Sequence, residues 1–142
     1  MNVVIVDDEK IAIEALERLL VAQGDINIIG KYTDPMLALS EIKHLKVDAI
    51  FLDMEMGTLH GIQFAELLYK DKQFINIVFV TAYTEYALEA FELNAIDYLL
   101  KPVSRERLNR AIEKLKKENL ISQQILSTTK KSYICIHWVC IG

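Results

Sequence analysis

Five short apolar runs punctuate the chain, at residues 3–6, 27–31, 49–52, 77–80 and 98–100. Each is a few residues long, rich in β-branched or aromatic side chains, and nearly free of in/out alternation. That pattern predicts strands covered on both faces, as in a parallel sheet. Between the runs, apolar residues return at helical spacing. Ile11, Ala15, Leu16, Leu19 and Leu20 share one helix face, and Gly24 falls where that helix should stop. Asp34-Pro35 supplies an N-cap and a first-turn proline, with Leu37, Leu39, Ile42 and Leu45 behind them. A third helix is expected over residues 62–69 and a fourth over 85–93. A fifth starts near Ser104 and carries Leu108, Ala111, Ile112 and Leu115. Strand then helix, five times, predicts one α/β domain: a doubly wound (βα)5 fold with a five-stranded parallel sheet and helices on both faces. This domain is expected over residues 1–119, with 120–142 as a separate tail.

Composition narrows the class. With 52% hydrophobic and 25% charged residues, the 142-residue chain reads as globular, not disordered. Its apolar runs fall far short of the roughly 18 residues that span a bilayer. With no basic leader, a cytoplasmic location and no membrane contact are expected. A net charge of −4 gives no general attraction to nucleic acid. The last helix carries Arg105, Arg107, Arg110, Lys114, Lys116 and Lys117, which read as a solvated face with cations suited to a helix C-terminus. Cys135 and Cys140 lie close together near the end and provide no disulfide framework.

Candidate chemistry lies at the carboxyl ends of the strands, where open parallel sheets place it. Asp7-Asp8 follows the first run, Asp53 the third, Thr81-Ala82 the fourth and Lys101-Pro102 the fifth. Singly, each has an ordinary explanation: a helix cap, a turn or a surface charge. Jointly, three carboxylates on one edge repel unless a cation binds them. Oxygen ligands of this kind suit Mg²⁺, which commonly accompanies phosphate. Lys101 and Thr81 then supply an ammonium and a hydroxyl for phosphate oxygens, and a carboxylate can itself accept a phosphoryl group.

With those residues at those spacings, residues 1–117 resemble the receiver domain of two-component response regulators, a flavodoxin/CheY-like fold. The stretch "AFELNAIDYLLKPVSRERL", residues 90–108, further resembles receivers that carry a LytTR-type DNA-binding domain. The resemblance implies that Asp53 accepts a phosphoryl group from a sensor histidine kinase. It implies that Asp8, Asp53 and the backbone carbonyl of Glu55 bind Mg²⁺ directly while Asp7 acts mainly through water. Lys101 would pair with Asp53 at rest and with the phosphate afterwards. Thr81 would move to the phosphate, and Tyr98 would turn into the space it leaves. The peptide bond before Pro102 would be cis. The surface of the fourth helix, fifth strand and fifth helix would switch shape and pair two copies into a homodimer. The protein would catalyse only its own phosphorylation and dephosphorylation, and DNA would be reached only through an output domain absent from this chain.

Some positions depart from the family pattern. Gly57 replaces the usual proline and predicts a looser loop. His60 stands where an aspartate is common and is expected to be a solvent-exposed loop residue. Glu55 and Tyr83 occupy positions that affect water attack on the phosphoaspartate. The Tyr83 ring either hinders that water or merely packs on the fourth helix. Other readings remain. A haloacid-dehalogenase-like phosphatase would want an aspartate at position 55 and would leave Asp7-Asp8 unexplained. A nucleotide or flavin binder would want a Gly-rich loop, which the five scattered glycines do not make. A pseudo-receiver would not need the full acidic set.

The tail suggests a short helix extension over 120–126, a polar linker over 127–132 and an apolar strand over 133–141. It reads as the truncated or non-native start of an output region. Cys135, His137 and Cys140 make a weak zinc pattern, lacking a fourth ligand.

Overall fold

The computed structural model describes residues 1–71 and 73–122. The linker, the apolar strand and the Cys135–His137–Cys140 pattern expected in the tail lie outside the described residues.

Five parallel strands form the sheet: β1 (Asn2–Val6), β2 (Asn27–Tyr32), β3 (Ala49–Leu52), β4 (Asn76–Thr81) and β5 (Asp97–Leu100). Their order is β2-β1-β3-β4-β5. The helices are α1 (Lys10–Val21), α2 (Pro35–Ile42), α3 (Gly61–Lys70), α4 (Ala87–Glu92) and α5 (residues 105–122). The fold is therefore the expected one, and the order reverses between β1 and β3, where a ligand crevice opens.

Two cores sandwich the sheet, and alternate residues of each central strand feed opposite ones. Val4, Val6, Ile50, Leu52 and Phe79 pack with Ala38, Ile42, Phe64, Leu68 and Ala90 of α2, α3 and α4. Val3, Ile5, Phe51, Val78, Val80 and Leu99 pack with Ile13, Leu16, Leu20, Leu108, Ile112 and Leu115 of α1 and α5. Burial on both faces is why these strands read as unbroken apolar runs. The edge strand β2 differs: its residues alternate between exposed and half-buried until Tyr32, because only β1 flanks it.

Local signals set several ends. The Asp34 carboxylate accepts from the Met36 and Leu37 N–H groups, with Pro35 in the first turn of α2. α2 stops at Ile42, which leaves Leu45 outside it and 37% exposed. Gly24 has φ +78°, ending the turn after α1 as expected. Ser104 Oγ accepts from the Arg107 N–H at the start of α5. α4 is shorter than the expected 85–93: Tyr86 is its N-cap, it starts at Ala87 and it ends at Glu92. Asp97 ties β5 to α5 through Arg107 at 2.5 Å and Lys114 at 3.1 Å. Burial alone would raise the Asp97 carboxyl, but bonds from Arg107, the Tyr98 N–H and Lys114 outweigh it and hold the pKa at about 2.

One element lies outside the expected pattern. Glu55–Met56 and Leu59–His60 form a small antiparallel hairpin, with Gly57 at φ +69° in its turn. The loop expected at Gly57 is therefore the two-residue turn of a hairpin, and the left-handed φ there is the reason glycine suits it.

Candidate functional site: an acidic edge beside a half-buried lysine

The site residues are positioned by ladder bonds that continue past the strand ends. The Asp7 N–H donates to the Tyr32 carbonyl and the Asp53 N–H to the Val6 carbonyl, each at 3.0 Å, while the Lys101 N–H donates to the Thr81 carbonyl at 2.9 Å. β1, β3 and β5 thus deliver their next residues to one crevice, with Thr81 at the end of β4 between the last two. Asp7 and Asp53 are each only 5% exposed and Thr81 is fully buried, whereas Asp8 faces solvent. One carboxylate oxygen from each of Asp7, Asp8 and Asp53 lies within 4.8 Å of the others. The peptide before Pro102 is cis, as expected.

Lys101 Nζ donates to Asp7 Oδ2 at 2.7 Å and stands 3.6 Å from Asp53 Oδ2. The pairing with Asp53 is present, but Asp7 is the nearer partner. Asp7 Oδ1 accepts from the Glu9 N–H at 2.9 Å, and Asp53 Oδ1 from the Met54 N–H at 2.8 Å. Burial raises the Asp53 carboxyl to a pKa of about 6, reinforced by the Asp7 charge and opposed by Lys101 and the Met54 N–H. Asp8 is raised too, by burial and then by repulsion from Asp7 and Glu9. Burial would lower Lys101, yet its bond to Asp7 and the nearby carboxylates raise it and keep it cationic.

One ammonium set against three carboxylates leaves an excess of negative charge in a crevice lined by hard oxygen donors. That donor set fits a divalent cation such as Mg²⁺. The crevice opens into a pocket of about 340 Å³, walled by Asp8, Asp53, Glu55, Ala82, Tyr83 and Lys101.

The two expected switch residues meet at Tyr83. Thr81 Oγ1 accepts from the Tyr83 N–H at 3.2 Å, and the Tyr98 hydroxyl donates to the Tyr83 carbonyl. The Tyr98 ring tilts against Phe79 at 6.3 Å. Tyr83 is 40% exposed, lines the pocket and stands edge-on at 6.2 Å to Tyr86, the residue before α4.

His60 differs from expectation. It is half-buried at the start of α3, where its Nδ1 accepts from the Ile62 N–H and its own N–H donates to Gln63 Oε1, each at 3.2 Å. A capping box therefore occupies the position assigned to a solvent-exposed loop. Next to it Gly61 donates its N–H to the Met54 carbonyl at 2.6 Å. A Cβ at Gly61 would fall 2.5 Å from the Asp53 carbonyl oxygen, so glycine alone permits α3 to start this close to the phosphoacceptor candidate. Sequence reasoning missed this contact and also Tyr86, whose hydroxyl donates to Glu55 Oε1 at 2.6 Å. The phosphatase reading wants an aspartate at position 55, where this chain carries Glu55.

Comparison with known proteins agrees with this geometry. Residues 3–113 match the response regulator receiver domain family. An uncharacterized response regulatory protein of Vibrio cholerae is 41% identical over 119 residues, covering 84% of this chain and 50% of that protein. The sensory transduction protein LytT of Bacillus anthracis is 41% identical over 118 residues, covering 83% of this chain and 48% of LytT. The crystal structure of the response regulatory domain of mrkE from Klebsiella pneumoniae superposes with a TM-score of 0.77 at 39% identity, covering 83% of this chain and 97% of that one. The chain spans about half the length of these two full-length relatives. Among the described residues no helix is long and apolar enough to cross a membrane. The acidic crevice, the parallel sheet that builds it and these matches agree on one conclusion: the chain belongs to the receiver domain family of two-component response regulators.

Proposed function

We propose that Asp53 accepts a phosphoryl group from a sensor histidine kinase in the cytoplasm and that this charge resets the surface formed by α4, β5 and α5. The observation that carries the reading is the convergence of Asp7, Asp8 and Asp53 with Lys101 on one crevice. In transfer, an Asp53 carboxylate oxygen attacks phosphorus while the donor's bond to phosphorus breaks. Lys101 then turns from the carboxylates to a phosphoryl oxygen as a point charge. Asp8, Asp53 and the Glu55 backbone carbonyl would hold Mg²⁺ directly, and Asp7 through water. When bound, the ion offsets the negative charge that gathers on the phosphoryl oxygens.

Thr81 reorients its hydroxyl to the phosphoryl group and gives up the Tyr83 N–H, while Tyr98 follows into the space released. The result is a population shift of the α4–β5–α5 face, not a new fold. Leu88 (69% exposed), Phe91 (77%) and Leu100 (44%) lie on α4 and at the end of β5, and they suit homodimerisation through this face. An apolar groove of about 270 Å³, between Ile11, Ala15 and Leu19 of α1 and the Pro102–Val103 segment, adjoins the crevice and suits kinase docking. Transcriptional output, with any DNA contact, belongs to an output domain outside the described residues. Apart from its own phosphorylation and dephosphorylation, the domain has no turnover.

The test is incubation with Mg²⁺ and acetyl phosphate or beryllofluoride. An acid-labile adduct and a rise in dimer are expected for the wild type, and neither for Asp53→Asn. A wild-type sample that stays unmodified with every small donor would refute the reading.

A further inference from the structure

An unassigned contact lies where the hairpin meets the start of α4. Glu55 and His60 are cross-strand partners, so their side chains leave the same face of the hairpin. Both meet Tyr86. Its hydroxyl donates to Glu55 Oε1 at 2.6 Å, and the His60 ring stands edge-on to it at 4.6 Å and 74°. The bond to Glu55, with smaller effects from burial and nearby carboxylates, pushes the Tyr86 hydroxyl up to about 12, so it stays a donor at physiological pH. Nothing in the packing calls for a hydroxyl at this position. Tyr86 makes no side-chain cap to α4, and its ring is partly buried against the α2–α3–α4 core, where phenylalanine would serve. What the oxygen does is fix a carboxylate on the wall of the Asp53 pocket.

We propose that Tyr86 is a positioning residue that pins Glu55 across the mouth of this pocket and so slows hydrolysis of the phosphoaspartate. The inference rests on the phosphoacceptor reading above. In that hydrolysis a water oxygen bonds to phosphorus as the bond from phosphorus to the Asp53 oxygen breaks. The bonding pair returns to the carboxylate, inorganic phosphate leaves, and the proton of the water passes to solvent. The water approaches in line, from the side of phosphorus away from Asp53, which is the mouth. A pinned Glu55 obstructs that approach. Glu55 also faces the Tyr83 hydroxyl, whose pKa it raises, but freed of Tyr86 this exposed side chain rotates into solvent and clears the approach.

The test compares wild type, Tyr86→Phe, Glu55→Ala, the double variant and Glu55→Gln. Each is loaded with acetyl phosphate and Mg²⁺, freed of donor, and followed for loss of acid-labile phosphate. Tyr86→Phe keeps the ring and loses only the hydroxyl; its decay is expected to be about fivefold faster. Glu55→Ala should match it, and the double variant should be no faster than either, because both changes break one contact. Glu55→Gln should recover most of the slow decay, since its amide oxygen still accepts the Tyr86 hydroxyl. A purely structural contact would shift melting temperature without producing this pattern. Wild-type decay in Tyr86→Phe, multiplied effects in the double variant, or Glu55→Gln as fast as Glu55→Ala would each overturn the pinning while leaving the phosphoacceptor reading intact. Absence of label in the wild type would instead sink that reading, and the pinning with it.

Discussion

Replacing Asp53 with asparagine should make the metal-free protein more stable while abolishing its chemistry. The side chain is almost fully buried beside Asp7, and its carboxyl is raised from an ordinary value near 3.9 to about 6. A carboxyl with a raised folded-state pKa binds protons more tightly folded than unfolded. Stability therefore falls as pH rises from about 4 to about 6, and the deficit persists above that range. At ~1.4 kcal/mol per tenfold change in acidity, the cost at pH 7 is at most about 3 kcal/mol. The asparagine side chain in Asp53→Asn keeps the size and an acceptor for the Met54 N–H, and Lys101 keeps its bond to Asp7. In EDTA at pH 7, Asp53→Asn should melt roughly 5–10 °C above wild type. The gap should close as pH falls to about 4, where the wild-type carboxyl is protonated. Adding Mg²⁺ should raise the wild type more than the variant, because the cation offsets the same repulsion. The reasoning is refuted if Asp53→Asn melts at or below wild type in EDTA at pH 7, or if the gap is unchanged at low pH.

Other outcomes follow from neighbouring contacts. Asp97, held at about 2 against an ordinary value near 3.9, contributes stability above pH 4 that is lost as pH falls toward 2; Asp97→Asn should cost about 2 kcal/mol at pH 7 in urea melts and flatten that acid limb. Gly61→Ala should cost roughly 2 kcal/mol and slow acetyl-phosphate labelling, because its Cβ meets the Asp53 carbonyl; equal stability would show that α3 shifts freely. Tyr83→Ala, which strips a pocket wall, should speed phosphoaspartate loss several-fold; an unchanged rate would leave the ring with only its packing against Tyr86. Phe91→Asp should prevent beryllofluoride-induced dimers without lowering phosphorylation, as read by light scattering and labelling.

The sheet was legible because β1, β3 and β4 are buried on both faces, which forces continuous apolar runs such as "VVIV" and "AIFL". The acidic edge was legible for a related reason: a charge directly after such a run has few purely structural explanations. β2 was harder, since an edge strand needs less apolar cover. The hairpin was invisible, because two-residue arms carry no period and Gly57 reads equally as a loose loop. The bond from Tyr86 to Glu55 and the contact of Tyr86 with His60 depend on side chains meeting from separate segments, which neither spacing nor composition encodes; the His60 cap is local, but histidine is not among the usual N-cap residues. The preference of Lys101 for Asp7 over Asp53 is a matter of about an ångström and is decided only in three dimensions.

The unequal anchoring of the helices has a mechanical consequence. α5 sinks Leu108, Ala111, Ile112 and Leu115 into its core, whereas α4, six residues long, buries Ala90 alone. Little apolar surface is uncovered if α4 slides or frays, so that motion lies well below the free energy of global unfolding. Hydrogen exchange along α4 should accordingly run ahead of the other helices. The domain keeps a loosely moored panel on a rigid chassis, and under the proposed switch a single added charge would move the panel without the chassis having to yield.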